Sequence, residues 1–225
     1  MYGDNPIRKP LKSDGDSLEV KEIFSTIQGE GLHVGVAAVF IRLGGCNLAC
    51  KFCDTDFEEF SNLTLDEIIS EIKVQALDDN GVRVRNWVII TGGEPFRQPI
   101  EKFCDRLIDE GFKVQIETNG TLYREINHKV EIICSPKNTG TGYHQIRPDL
   151  LARVTAFKFI IAANNDFYSG VPDIGQYDYN AEIFIQPMDE KNEQKNAANL
   201  EYTKNLAINK GYRLSLQIHK ILNIR

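Results

Sequence analysis

Residues 36–53 read VAAVFIRLGGCNLACKFC. The run 36–43 is apolar on both sides apart from Arg42, the pattern of a strand buried on both faces in a parallel sheet. Gly44 and Gly45 break it, and Cys46, Cys50 and Cys53 follow within a few positions. The same pattern recurs along the chain. WVII (87–90) runs into Thr91-Gly92-Gly93-Glu94-Pro95, FKVQIE (112–117) into Thr118-Asn119-Gly120, and VEIIC (130–134) into Ser135-Pro136-Lys137. EIFIQ (182–186) runs into Pro187; LEVKEIFST (18–26), FKFII (157–161) and YRLSLQI (212–218) complete the strand-like runs.

Helical segments lie between them. Thr64-x-x-Glu67 has the spacing of a capping box and opens a helix with Leu65, Ile68, Ile69, Ile72 and Ala76 on one face. Segments 99–110 and 190–209 stop at Gly111 and Gly211, the residue type that closes helices in a left-handed turn. Strands alternating with helices predict βαβ units, a parallel sheet and right-handed crossovers. About six or seven strands are too few for a closed eight-stranded barrel. An open partial barrel or a doubly wound sheet remains, and both bind ligands at the C-terminal ends of the strands. The polar exits gather at that end, as one active-site mouth requires. Residues 1–17 read as a loose N-terminal arm and residues 18–225 as a single domain without repeats.

The 225 residues carry a net charge of −6, and their 26 Lys and Arg form no basic stripe. That removes the electrostatic footprint of a nucleic-acid partner. No apolar run approaches the ~18 residues of a membrane span. The polar start MYGDNPIRKPLKSDGDS lacks the apolar core of a secretion signal, so a cytoplasmic location is expected. Five cysteines without a leader argue against a disulfide framework and for a metal or cluster site. Cys104, in a helix, and Cys134, at a strand end, read as core residues.

Cys46-x3-Cys50-x2-Cys53 supplies three soft thiolate ligands from one short loop. Tetrahedral zinc would need a fourth Cys or His nearby, and His33 is thirteen positions upstream of Cys46. An ordinary [4Fe–4S] cluster takes four cysteines, so three leave one iron open to a further ligand. The spacing, with Phe52 directly before Cys53, resembles the radical S-adenosylmethionine enzymes, as does Gly92-Gly93-Glu94-Pro95. IQGEG (27–31), FIRLGGC (40–46), CDT (53–55), ETNG (117–120), SPK (135–137), IQP (185–187) and RLSLQIHKILNIR (213–225) are together similar to the 7-carboxy-7-deazaguanine synthase family, from about residue 18 to the C-terminus.

That resemblance implies an open, partial TIM-like barrel of about six parallel strands with helices outside. It implies a lyase that converts 6-carboxy-5,6,7,8-tetrahydropterin to 7-carboxy-7-deazaguanine with loss of ammonia, in queuosine biosynthesis. It implies three cofactors: one [4Fe–4S] cluster on Cys46, Cys50 and Cys53, S-adenosylmethionine, and Mg2+ on Thr55. Phe52, Asp54, Gly93, Glu94, Ser135, Pro136, Lys137, Gln186, Pro187, Met188 and Asp189 would hold S-adenosylmethionine. Ile27, Gln28, Gly29, Glu30, Arg42, Thr91, Glu117, His219 and the terminal carboxylate of Arg225 would meet the pterin. A flavodoxin or ferredoxin as reductant and a homodimer are implied as partners. Arg42 has a physical argument of its own: buried unpaired it would be costly, so it faces either a substrate carboxylate or a glutamate. Glu30 is either a pterin contact or solvated. Two further readings share parts of the signal: an activating enzyme that installs a glycyl radical on a partner protein, and a non-catalytic metal-binding module.

Overall fold

Alternation along the strands decides which side chains meet the helices and which meet the concave face. In the computed structural model, which describes residues 5–138 and 142–225, Val39, Ile41, Leu43, Val88, Ile90, Val114 and Ile116 face one side. There they pack with Ile68, Ile72, Phe103 and Leu107. Each such large apolar side chain contributes roughly 1.5–3 kcal/mol when fully buried. The intervening positions, among them Phe40, Arg42, Thr91, Glu117, Lys158 and Gln186, line a cavity on the other side. The period of two thus separates core from site.

Among the described residues the strands form one sheet in the order β3-β1-β2-β4-β5-β6-β7-β8-β9. These are β1 (Ser17–Ile27), β2 (Ala37–Leu43), β3 (Ser61–Thr64), β4 (Trp87–Gly92), β5 (Lys113–Thr118), β6 (Glu131–Cys134), β7 (Ala156–Ile161), β8 (Glu182–Pro187) and β9 (Arg213–Leu214). From β2 through β9, skipping β3, every neighbouring pair is parallel. The result is an open, mostly parallel sheet of the partial TIM-like barrel type. β1 departs from the expected parallel sheet by pairing antiparallel with β2, and β3 pairs antiparallel with β1. The β1–β2 connection is too short for the crossover that parallel pairing requires.

α1 (Leu65–Gln75) carries the expected capping box: Glu67 N–H donates to Thr64 Oγ1 at 3.3 Å, and Thr64 N–H to Glu67 Oε2 at 2.8 Å. α2 (Glu101–Asp109) buries Phe103, Cys104 and Leu107. The β5–β6 crossing, 119–130, contains no helix, and α3 (Pro148–Leu151) is a single turn. α4 (Glu193–Lys210) starts on the Asn192 side chain and stops at Gly211, whose φ is 72°. The expected strand 212–218 is shortened to Arg213–Leu214. Ser215 turns inward, accepting from Gly31 N–H at 3.0 Å and donating to Gln186 Oε1 at 3.1 Å. The chain then forms α5 (Ile218–Leu222).

Residues 1–4 of the expected arm lie outside the described residues. Residues 5–11 are not loose. Arg8 N–H donates to Cys46 C=O and Leu11 N–H to Arg97 C=O, both at 2.7 Å. Cys104 and Cys134 are both buried in the core.

Candidate active site

The exits of β2 and β4 touch. A Cβ built on Gly93 would lie 1.9 Å from Gly45 O, and one on Gly92 would lie 2.2 Å from Leu43 O. Gly92 has a φ of 126°. Gly93 N–H donates to Leu43 C=O, and Glu94 N–H to Gly45 C=O, each at 3.1 Å. Paired glycines are therefore required by a neighbouring backbone, with Gly93 also facing the cavity. This closure sets Cys46 at the rim of a cavity of about 640 Å³, within the ~300–1,000 Å³ of small-molecule sites.

Cys46, Cys50 and Cys53 all line that cavity and are free thiols. Leu48 N–H and the Asn119 side-chain amide donate to Cys46 Sγ at 3.4 and 3.8 Å. Burial pushes the Cys46 thiol up to about 12 against the Leu48 amide. Burial also raises Cys50 against Lys137, and Cys53 against its backbone hydrogen bond at Thr55. Thiols raised in this way ionise more readily beside a cationic centre that compensates the thiolates. Among the described residues no three His, Cys, Asp or Glu side chains are gathered as for a single ion. Three thiols around one wall suit an iron–sulfur cluster, which is larger than one ion and takes thiolate ligands.

Phe52, Asp54, Ser135, Lys137, Gln186, Pro187, Met188 and Asp189 line the same cavity. Lys137 Nζ donates to Ser135 Oγ at 2.6 Å, and burial lowers the lysine pKa. The Phe52 ring meets Tyr168 edge-on at 5.4 Å between centroids. Glu94 and Pro136, two residues expected at the cofactor, are not among the lining residues. Glu94 is fully buried and accepts from Thr118 Oγ1 at 2.7 Å, Asn119 N–H at 2.8 Å and Phe96 N–H at 3.0 Å. Burial pushes its pKa up to about 7 against those donors. Its side chain braces the β4 exit against the β5 exit, because each of those donors needs an acceptor once dry.

Ile27, Gln28, Gly29, Glu30, Arg42, Thr91, Glu117, His219 and Arg225 line the same cavity. Gln28 Nε2 donates to Glu117 Oε1 at 2.9 Å. Arg42 lines the cavity while its Nε donates to Glu22 Oε1 at 2.8 Å, so the glutamate alternative describes its pairing here. Thr26 Oγ1 donates to Arg225 O at 2.6 Å, and the Arg225 guanidinium pairs with Glu22 at 2.6 Å. The His219 ring packs on Gly29, where a Cβ would lie 2.2 Å from Nδ1. Glu30 is not solvated: its side chain pairs with Lys158 and accepts from Gln217 Nε2 at 2.8 Å. Thr55 lines the cavity with Oγ1 3.3 Å from Asp54 Oδ1.

Sequence reasoning missed Lys158 and gave Asn119, Gln217 and Lys220, which lie in the expected polar exits, no role of their own; all four line the cavity. Lys220 donates to Asp54 at 2.9 Å and Asp189 at 2.7 Å. Lys158 carried a signal: it is the lone charge in FKFII, just as Arg42 is in VAAVFIRL.

The Radical SAM superfamily profile matches residues 40–144. The chain is similar to a 7-carboxy-7-deazaguanine synthase of Rickettsia prowazekii, 52% identical over 224 residues that cover 100% of this chain and 96% of that protein. It is 38% identical over 244 residues to a protein of the same name from Rhodospirillum rubrum, with 100% of each covered. Its fold is similar to that in the crystal structure of QueE from Escherichia coli, with a TM-score of 0.71 and 24% identity, over 89% of this chain and 94% of that one. Among the described residues no helix is long and apolar enough to cross a membrane.

Proposed function

The chain belongs to the 7-carboxy-7-deazaguanine synthase family of radical S-adenosylmethionine enzymes, and from that premise we propose that it converts 6-carboxy-5,6,7,8-tetrahydropterin to 7-carboxy-7-deazaguanine with loss of ammonia. One observation carries the reading. A single cavity holds three free thiols together with a set of carboxylate, amide and guanidinium groups. Bound by Cys46, Cys50 and Cys53, a [4Fe–4S] cluster with S-adenosylmethionine supplies the hydrogen-abstracting radical.

The chain supplies binding, orientation and shielding. Phe52, Ser135, Lys137, Gln186 and Met188 are placed to hold S-adenosylmethionine beside the cysteine loop. Glu117 and Gln28 present acceptor and amide groups to the aminopyrimidinone edge, which offers adjacent N–H donors. Arg42, whose Nε is taken by Glu22, would turn its remaining N–H groups to the substrate carboxylate, and the terminal carboxylate of Arg225 would accept from the pterin. Thr55 would give Mg2+ one hydroxyl, and the substrate carboxylate would help to complete the shell, since Mg2+ is held by few protein ligands. The tail, seated on Gly29 and Thr26, would narrow the mouth over bound substrate. A flavodoxin or ferredoxin as reductant, an isologous homodimer and a cytoplasmic site belong to the same proposal; free thiols fit a reducing compartment.

The test is product analysis. Anaerobically reconstituted protein receives the carboxytetrahydropterin, S-adenosylmethionine, Mg2+ and a reductant. 7-Carboxy-7-deazaguanine and ammonia are expected in equal amounts. Iron-loaded, reduced protein that cleaves S-adenosylmethionine yet leaves the pterin unchanged would overturn the proposal.

A further inference from the structure

Lys158 sits in the middle of β7 between Phe157 and Phe159, and is 6% exposed. Its ammonium reaches across the concave face. It stands 3.4 Å from Glu117 on β5, two strands away in the sheet, and pairs with Glu30 in the loop after β1. Each carboxylate gives one oxygen to the lysine and the other to amides. Glu117 Oε1 accepts from Gln28 at 2.9 Å and Gln115 at 3.2 Å, and Glu30 Oε1 from Gln217 at 2.8 Å. Both carboxylates are thus held in rotation as well as in position.

Stability is a poor explanation for this arrangement. Buried ion pairs often contribute no more than well-packed apolar side chains would, and a long side chain held in one conformation costs entropy. All three groups instead face the cavity assigned to the pterin. We propose that Lys158 is a positioning residue for that subsite, which keeps Glu30 and Glu117 ionised together as a fixed pair of acceptors for the substrate's N–H edge. The proposal rests on the pterin reading above. Burial works against the Lys158 ammonium, but Glu117 and Glu30 more than offset it and raise its pKa. Burial also opposes ionisation of Glu30, and Lys158, Gln217 and His219 overcome it. Lys137 from the β6 exit, His219, Lys220 and Arg225 from the tail, Asp54 from the cysteine loop, Asp189 and Lys191 from beyond β8, and Arg42, paired with Glu22, also carry charge or titrate around this cavity. Without the ammonium, two half-buried like charges face one another, and the pair holds a proton more readily. It then presents O–H to a substrate N–H, and binding weakens as pH falls.

The experiment compares K158M, K158R and the double variant K158M/E30Q with the wild-type holoenzyme. Two quantities are read: KM and kcat for the tetrahydropterin, and the dissociation constant of 6-carboxypterin, a fluorescent analogue that does not react, from pH 7.5 to 6. K158M is expected to raise KM at least about tenfold at neutral pH with kcat within about threefold. Relative to wild type, its analogue binding should weaken by up to about tenfold per pH unit as pH falls, the limit for one proton taken up. K158R and K158M/E30Q should follow the wild-type pH profile, the first because the charge is restored, the second because the like charge is gone. Iron content and S-adenosylmethionine affinity report folding, and K158Q carries the test if K158M does not fold. An unchanged KM, a kcat loss at unchanged KM, or a K158M pH profile parallel to wild type overturns the proposal. Product formation by wild type tests the pterin reading separately.

Discussion

Glu94 looks like a cofactor ligand in the one-letter code and acts as a brace in the fold. Its Oε2 accepts from Asn119 N–H at 2.8 Å, and its Oε1 from Thr118 and Phe96. E94Q keeps the shape but sets an NH2 against an N–H at one end. Chemical denaturation should show a stability loss of about 1–3 kcal/mol, the cost of a buried polar group left unpaired. A wild-type denaturation midpoint would place the carboxylate outside the brace. G93A is the sharper residue test. Its Cβ would sit 1.9 Å from backbone Gly45 O, so the turn carrying Cys46 must move, and iron per chain after reconstitution should collapse. Residue roles were legible where a side chain was anomalous for its element. Arg42 in an apolar strand stood out, and Lys158 satisfies the same criterion. That the Glu94 side chain turns away from the cavity was not legible, because its direction depends on donors at the β5 exit, twenty-odd positions later, which no local pattern contains.

At the scale of elements, strands β2 and β4 to β8 and helices α1, α2 and α4 were legible because their signals are local: apolar period, capping box, terminal glycine. The antiparallel edge formed by β1 and β3 and the tail helix α5 were not. YRLSLQI alternates as a strand does, yet Ser215 is claimed by Gly31 and Gln186, and the pairing ends at Leu214. α5 is anchored by Lys220, which joins Asp54 of the cysteine loop to Asp189 beyond β8. K220M should free the tail. Carboxypeptidase should trim it several-fold faster, and KM for the pterin should rise while the cluster stays intact; equal trimming rates would remove the anchor role. The pH sense follows from Asp189, which its hydrogen bond with Lys220 lowers from 3.8 to about 2. A depressed carboxylate contributes fully above its unfolded value and loses that contribution as pH falls through its folded value. Trimming of wild type should therefore be flat from about pH 8 to 5 and accelerate only below about pH 4.

Over the whole molecule, the arm from residue 5 onward and the C-terminal tail both bond to one loop. The tail reaches it through Lys220, and the N-terminal arm clasps it through residues 5–8, with Asn5 lining the cavity. Arg8 N–H donates to Cys46 C=O at 2.7 Å, Asn5 Nδ2 to Thr55 C=O at 3.0 Å, and the Arg8 side chain pairs with Glu58. Leu11 ties the arm down, giving its N–H to Arg97 C=O at 2.7 Å and taking a bond from Arg124 at 2.9 Å. Most of these bonds involve backbone, which any sequence can make, so a polar stretch such as MYGDNPIRKPLKSDGDS could not announce them. The arm adds little to the core: Ile7 is 69% exposed. Its removal should therefore spare the fold and loosen the loop, because local opening follows local bonding. A chain lacking residues 1–11 should unfold at nearly the wild-type denaturant midpoint. After anaerobic reconstitution it should lose iron to a chelator several-fold faster, followed by the bleaching of the cluster's visible absorbance. R8A, which leaves the backbone bonds in place, should fall between the two. Iron loss at the wild-type rate in the shortened chain would show that the cysteine loop holds its own shape and that the arm is incidental to it.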